Sequence, residues 1–252
     1  MSFNVAAQAY DRFMGRYSAP LAPLLADLAG IRGGQRVLDV GSGPGALTAE
    51  LAVRLGPGQV TAIDPSESFV EAARARHPGV TVVRGVAEAL PFPDRAFDAS
   101  LAQLVVHFMT DPVAGLAEMA RVTHPGGVVA ACVWDHAGDH GPLGLFWRVA
   151  REIDPDVHDE SMLAGVREGH LAALFEAAGL RGVEPAVLEV TREHAGFEEW
   201  WEPYTAGVGP AGAYVATLDD DHRMQVRERC RALLPAGRFE ITARAWAARG
   251  VA

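Results

Sequence analysis

The run Val37-Leu38-Asp39-Val40-Gly41-Ser42-Gly43-Pro44-Gly45 brings a short apolar stretch straight into alternate glycines and then into the helical segment Ala46 to Leu55. Glycines at these positions lack the Cβ atoms that would hold a ligand off the main chain, so the loop can meet a cofactor closely. A second apolar stretch, Gln59 to Ile63, ends in Asp64. A carboxylate at the carboxyl end of a strand can accept hydrogen bonds from both ribose hydroxyls of an adenosine, and beside Pro65 it can equally cap the next helix. Loop and acid together imply an adenosine-containing ligand. The spacing Gly41-x-Gly43-x-x-Ala46 also satisfies the dinucleotide fingerprint, so the loop by itself leaves a nicotinamide cofactor open.

Asp39 stands two residues before the first glycine, completing a D-x-G-x-G-x-G string that resembles the first motif of class I S-adenosylmethionine-dependent methyltransferases. Gly85-Val86-Ala87-Glu88-Ala89-Leu90-Pro91-Phe92, Phe97-Asp98 and Arg121-Val122-x-x-Pro125-Gly126-Gly127 then follow in the order that family shows. The resemblance covers roughly Tyr10 to Val190 and is greatest to the small-molecule branch that includes ubiquinone and menaquinone biosynthesis enzymes. It implies an α/β fold: a Rossmann-like, seven-stranded, mostly parallel sheet with helices on both faces, the last strand antiparallel, and a helical cap. It also implies S-adenosylmethionine as cofactor, S-adenosylhomocysteine as product and a small-molecule acceptor methylated by direct in-line displacement. Such chemistry asks the protein mainly to align the acceptor's lone pair and exclude water. An oxygen or carbon acceptor takes a base, for which His107, His136 and His140 are candidates, whereas an amine needs only its neutral form. The alternatives are an NAD(P)-dependent oxidoreductase, with Asp64 on the adenosine ribose, and a non-catalytic S-adenosylmethionine-binding module.

The resemblance also distributes roles. Gly41, Ser42, Gly43 and Gly45 approach the methionine part of the cofactor, and Asp39 orients the loop or reaches the amino group through water. Asp64 and Pro65 meet the ribose; Val86, Ala87 and Glu88 meet the adenine; Ala102 and Gln103 follow the fourth strand toward the methionine moiety. Arg16 and Tyr17 contact the cofactor carboxylate or lie on a solvated helix face. Val86 departs from the family, which often has an Asp there for the adenine amine, so that donor needs a backbone carbonyl, water or Glu88. Leu90 packs either on the adenine or in the core. His107 is the candidate catalytic residue, as base or acceptor-pocket group, against the reading of a packed structural histidine. Trp134, His136, Trp200, Trp201 and Tyr204 are the candidate acceptor wall. Phe197, Trp200, Trp201 and Tyr204 fall at i, i+3, i+4, i+7, a stripe that suits a pocket wall or a purely structural helix face. His136 and His140 have helical spacing, but Gly138-Asp139 interrupts the helix and no companion ligand motif follows, so no metal is expected. No G-x-S-x-G elbow occurs.

These residues need a parallel sheet to position them. With 252 residues and 49% hydrophobic content, the chain suffices for one domain over 1–252, with an N-terminal helical lid over 1–30 and a cap insertion over 194–238. The acidic excess, net charge -10, repels a phosphate backbone and argues against nucleic acid. Cys132 lies in an apolar run and Cys230 in a charged helical one, as expected of reduced thiols. Met1-Ser2-Phe3-Asn4 shows no basic-then-apolar signal, and the apolar run Val128 to Trp134 is too short to span a bilayer. A cytoplasmic protein away from membranes is expected, of unassigned oligomeric state. Tyr10, Phe13, Met14 and Tyr17 suggest a short helix with one aromatic face. Ser68-x-x-Glu71 suggests a capping box, and Asp111-Pro112 an N-cap for a helix to Val122. Strands are expected over Val80 to Arg84, Ala96 to Ala102, Val183 to Thr191 and Phe239 to Ala247. The stretch Asp135 to Gly165, rich in Gly, Pro and His, reads as a rim over the strand ends.

Overall fold

Runs rich in β-branched and small apolar residues become the strands β1 (Val37–Val40), β2 (Val60–Asp64), β3 (Thr81–Arg84), β4 (Phe97–Gln103) and β5 (Thr123–Trp134); Gly41, Pro65, Gly85 and Asp135 follow β1, β2, β3 and β5, and the left-handed Leu104 follows β4. Two longer strands, β6 (Arg181–His194) and β7 (Phe239–Val251), complete one sheet in the order β3-β2-β1-β4-β5-β7-β6 in the computed structural model, which describes residues 8–252. Met1-Ser2-Phe3-Asn4 and the beginning of the expected lid lie outside the described residues. The β1, β2, β3, β4 and β5 pairings are parallel, and β7 runs antiparallel to both β5 and β6. All four residues of β1 are buried, as a strand covered on both faces must be. The order reverses between β1 and β4, which opens a crevice at their carboxyl ends.

The helices α1 (Arg16–Leu28), α2 (Ala46–Leu55), α3 (Glu67–Arg76), α4 (Pro112–Val122), α5 (Gly144–Ile153), α6 (His170–Ala177), α7 (Phe197–Trp201), α8 (Gly209–Thr217) and α9 (Asp220–Leu233) pack around the sheet. One face buries Leu21, Leu25, Leu47, Leu51 and Trp134; the other buries Leu38, Ile63, Leu116, Met119 and Phe175. A third cluster joins α5 to α7, α8 and α9 through Phe146, Trp147, Trp201 and Tyr204, so the expected cap is built partly from the expected rim.

Several expectations change. Strand β6 extends beyond the expected Val183 to Thr191 to Arg181–His194, taking in Arg181, Arg192 and Glu193. It is an edge strand, where charged side chains stay in solvent while the backbone pairs with β7. The capping box fails: α3 begins at Glu67, Ser68 lies within its first turn, and Ser66 is the capping residue. Asp111 does cap α4, accepting from Ala114 N at 3.0 Å. The single aromatic face near the N-terminus is split by a π-type turn over Asp11–Gly15, whose extra residue per turn shifts the helical register. Tyr10 consequently edges onto Phe69 (5.6 Å), Phe13 onto Tyr204 (5.0 Å) and Tyr17 onto Trp134 (6.4 Å). Among the described residues, no helix is long and apolar enough to cross a membrane.

Candidate functional site

The glycine turn hangs from the end of β2, because Gly41 N and Ser42 N both donate to Ile63 O, at 2.8 and 3.1 Å. Gly41 has φ +68°, and a Cβ there would stand 2.3 Å from Val105 Cγ2. Gly45 has φ +101°, and a Cβ would stand 2.4 Å from His77 Nε2. Both positions therefore require glycine on conformational and steric grounds. Beneath the turn, Asp39 Oδ2 accepts from Thr48 Oγ1 at 2.6 Å while Oδ1 is buried without a partner. Burial pushes the Asp39 carboxyl up to about 7, against the Thr48 hydrogen bond and with help from the nearby Asp64 charge. Asp64 Oδ2 accepts from Gly43 N (2.8 Å) and Oδ1 from Ser66 N (2.9 Å), so one carboxylate braces the glycine turn and starts the turn into α3. Burial raises its pKa and the two backbone donors oppose the rise.

Asp39, Gly41, Ser42, Gly43 and Asp64 wall a cleft of about 120 Å³ that also takes in Tyr10, Ser18 and Gln103, whereas Gly45, packed against His77, does not line it. Gln103 Nε2 donates to Ser18 O at 3.0 Å, leaving Oε1 buried and unpartnered, as is Ser42 Oγ. Three orphaned polar atoms, Asp39 Oδ1, Ser42 Oγ and Gln103 Oε1, in a cleft with two acidic side chains fit a ligand that carries donors and positive charge. They fit a pyrophosphate poorly: Gly43 N is already engaged by Asp64, and Asp39 and Asp64 would repel it.

A second cavity, of about 300 Å³, shares Tyr10, Phe69, Leu104 and Phe108 with the cleft as a common wall. Leu104, at φ +61°, sits in the left-handed region where β4 ends, a strained placement of the kind found at functional sites. Phe13, Met14, Trp134 and Leu143 make the cavity apolar, and the buried Trp134 Nε1 has no partner. Its polar pole is His107, His136 and Glu160, exposed by 6%, 5% and 4%. Parallel pairing explains the two histidines: Gln103 pairs with Cys132, and His107 and His136 each follow four residues later, so both leave neighbouring strands at one end of the sheet. The rings lie 5.8 Å apart. His136 Nε2 is 3.8 Å from Glu160 Oε1, while Glu160 Oε2 accepts from Trp147 Nε1 at 3.0 Å. Burial pushes His107 down to about 3, aided by His136, and pushes His136 down to about 4 against the attraction of Asp135 and Asp159. Glu160 is pushed up to about 7 by burial, against its Trp147 hydrogen bond.

The geometry sorts the expected residues. Arg16 and Tyr17 are not in the cleft: Arg16 Nη1 lies 3.4 Å from His194 Nδ1 and from Glu199 Oε1, and Tyr17 OH lies 2.8 Å from His194 Nε2. Tyr10, before the π-type turn, and Ser18, after it, line the cleft instead. Val86, Ala87 and Glu88 do not wall it either. Val86 is exposed, and Glu88 Oε1 accepts from Thr110 N (2.7 Å) and Asp111 N (3.4 Å), committing it to the turn before α4. Pro65 is exposed with its carbonyl taken by Arg84 Nε; Ala102 and Leu90 are core. Trp134 and His136 line the second cavity, but Trp200, Trp201 and Tyr204 do not; they are buried in the third cluster, and the chain just after them offers the cavity Val208, Gly209 and Pro210. His107 reaches the cavity as a weaker base than expected, because burial disfavours its protonated form. His140 pairs with Asp135 (2.9 Å) and is turned outward, so His136 meets His107 and Glu160 rather than its sequence neighbour. Glu160 was absent from the sequence expectations, since a lone Glu in a loop carries no local signal.

Residues 38–131 match a family model described as a methyltransferase domain. Over 201 residues the chain is 38% identical to a malonyl-[acyl-carrier protein] O-methyltransferase of Erwinia billingiae, covering 68% of this chain and 79% of the relative. It is 35% identical over 173 residues to a ubiquinone/menaquinone biosynthesis C-methyltransferase of Cupriavidus taiwanensis, covering 62% and 71%. A putative methyltransferase from an antibiotic biosynthesis pathway of Anabaena variabilis shares the fold with TM-score 0.64 at 19% identity, over 92% of this chain and 97% of that one.

Proposed function

This chain belongs to the class I S-adenosylmethionine-dependent methyltransferases, in the branch that holds the ubiquinone and menaquinone biosynthesis enzymes, and we propose that its 300 Å³ cavity receives a small, largely apolar, ring-bearing acceptor. The chain transfers the methyl group of S-adenosylmethionine to a small molecule. What supports the assignment of the acceptor site is the wall of Tyr10, Phe69, Leu104 and Phe108 common to a polar cleft and an apolar cavity, because methyl transfer needs donor and acceptor side by side. S-adenosylmethionine, when bound, supplies a methyl carbon already activated by a sulfonium.

The chain's own residues then have modest tasks. Asp39, Ser42 and Gln103 take the polar methionine end, Gly43, with open space where a Cβ would stand, lets the main chain approach, and Asp64 holds the turn while its remaining lone pairs take ribose hydroxyls. Phe13, Phe69, Phe108 and Trp134 hold an acceptor ring and exclude water. The attacking atom, an oxygen or an acidic carbon, sits at the pole formed by His107, His136 and Glu160. Residues 1–252 act as one domain, with the N-terminal segment as lid and residues 194–238, joined by α5, as cap. Two buried free thiols support residence in the cytoplasm, and the acidic net charge supports a small acceptor over nucleic acid.

Calorimetry and turnover test this together. S-adenosylmethionine and S-adenosylhomocysteine should bind while NAD and NADP do not, and methyl transfer should favour ring-bearing hydroxyl, enol or carboxyl acceptors over charged hydrophilic ones. Nicotinamide binding with silent S-adenosylmethionine would overturn the cofactor site; preferential methylation of polycationic or hydrophilic acceptors would overturn the acceptor site.

A further inference from the structure

We propose that His107, His136 and Glu160 form a binding site for one divalent transition-metal ion of the zinc class, open on its fourth side to the acceptor cavity. One ligand atom from each of the three residues lies within 4.8 Å of the other two, and all three residues are buried. Two imidazoles and one carboxylate are the donor set preferred by zinc and its first-row neighbours, with ligand distances of about 2.0–2.2 Å. Two ligands at that distance on a tetrahedral ion stand about 3.4 Å apart. The His136 Nε2 to Glu160 Oε1 separation of 3.8 Å is thus long for a hydrogen bond and within a small rotamer adjustment of shared coordination.

Two further observations point to a ligand. His107 Nδ1 is buried without a hydrogen-bond partner, an expensive state that a bound group at the ring would offset. The second carboxylate oxygen of Glu160 is held by Trp147 Nε1 at 3.0 Å, the outer contact that typically orients a ligating carboxylate. Nearby carboxylates do not compete with it for a cation at this point: Asp159 pairs with Arg151 and Asp135 with His140. Three protein ligands and an open side facing an apolar cavity are the arrangement of a catalytic rather than a structural metal.

The ion's role rests on the cavity being the acceptor site; its binding does not. An acceptor hydroxyl or enol oxygen in the open position would lose its proton to solvent more readily. The oxygen lone pair then forms the new bond to the methyl carbon as the sulfur–methyl bond breaks, its electron pair remaining on sulfur in the neutral thioether.

The test uses tag-free full-length protein stripped with chelator, without acceptor, and titrated with Zn²⁺ or Co²⁺. One equivalent should bind per chain, Co²⁺ should give visible absorption of a four- or five-coordinate site, and His136→Ala and Glu160→Gln should each weaken binding at least about 100-fold. S-adenosylhomocysteine affinity and near-ultraviolet dichroism serve as controls for folding. Failure of the folded wild-type protein to take up either ion, or uptake unaltered in both folded variants, overturns the site. If a variant does not fold, His107→Gln takes its place with the same expected loss. Metal binding without methyl transfer to any ring-bearing acceptor would leave the site standing and remove the acceptor reading.

Discussion

Asp39 is the residue whose environment makes the sharpest demand on solution behaviour. Its carboxyl is buried under the glycine turn with one oxygen bonded to Thr48 and the other unpartnered, which pushes its pKa up to about 7. Ionising it in the unliganded protein at pH 7 forgoes up to about 4 kcal/mol of stability relative to an ordinary carboxyl. Because the folded value lies above the unfolded one, this contribution is whole below about pH 4 and is lost as pH rises through about 7. With S-adenosylmethionine in the proposed site, its positive charge beside Asp39 would favour the ionised form, so binding below pH 7 would expel a proton. Affinity for S-adenosylmethionine should therefore rise between about pH 5 and 7, and calorimetry at pH 6 in buffers of different ionisation enthalpy should register the release. Asp39→Asn should flatten the profile; a flat wild-type profile would mean that Asp39 is already ionised when the cleft is empty.

Among the elements, α7 and the helical turn after it carry the clearest consequence. Trp200, Trp201 and Tyr204 interlock, with Trp200 4.9 Å and Phe146 4.6 Å from the Tyr204 ring, and Arg231 lies over Phe197 at 4.4 Å. The stripe attaches the cap to α5 and, through Phe13, to the lid. Trp200→Ala and Trp201→Ala should each cost about 3–5 kcal/mol of stability, the usual loss for a truncated buried aromatic. Acceptor preference in the folded variants should be unaltered, whereas Val208 and Pro210, which line the cavity, should shift it when enlarged. Thermal or denaturant unfolding alongside an acceptor panel checks this; a changed acceptor profile in a stable Trp variant would restore the stripe to the pocket wall.

At the scale of the whole molecule, the N-terminal helices, the sheet and the helices before the last strand share packing: Phe13 belongs to the third cluster and also lines the larger cavity, and Tyr10 borders both cavities. Unfolding should therefore be a single cooperative transition that S-adenosylhomocysteine shifts as a unit, by about 2.7 kcal/mol at a hundredfold excess over Kd. Scanning calorimetry showing two transitions, only one of them moved by the product, would instead make the cap an independent unit.

The amino-acid sequence by itself determined the parallel half of the sheet and the glycine turn after its first strand. Val37–Val40 running into Gly41, and Asp111 before Pro112, are local signals: the reason for each residue lies within a few positions of it. It did not determine which aromatics line the larger cavity, because helical spacing places Trp200, Trp201 and Tyr204 on one face without saying what that face meets. It misplaced Arg16 and Tyr17, because one wide turn upstream changes the direction of every later side chain on the helix. The meeting of His107, His136 and Glu160 was decided only in three dimensions. It depends on β4 lying beside β5 in parallel register and on a loop returning Glu160 over their ends, and pairing between distant strands leaves no periodicity in either segment.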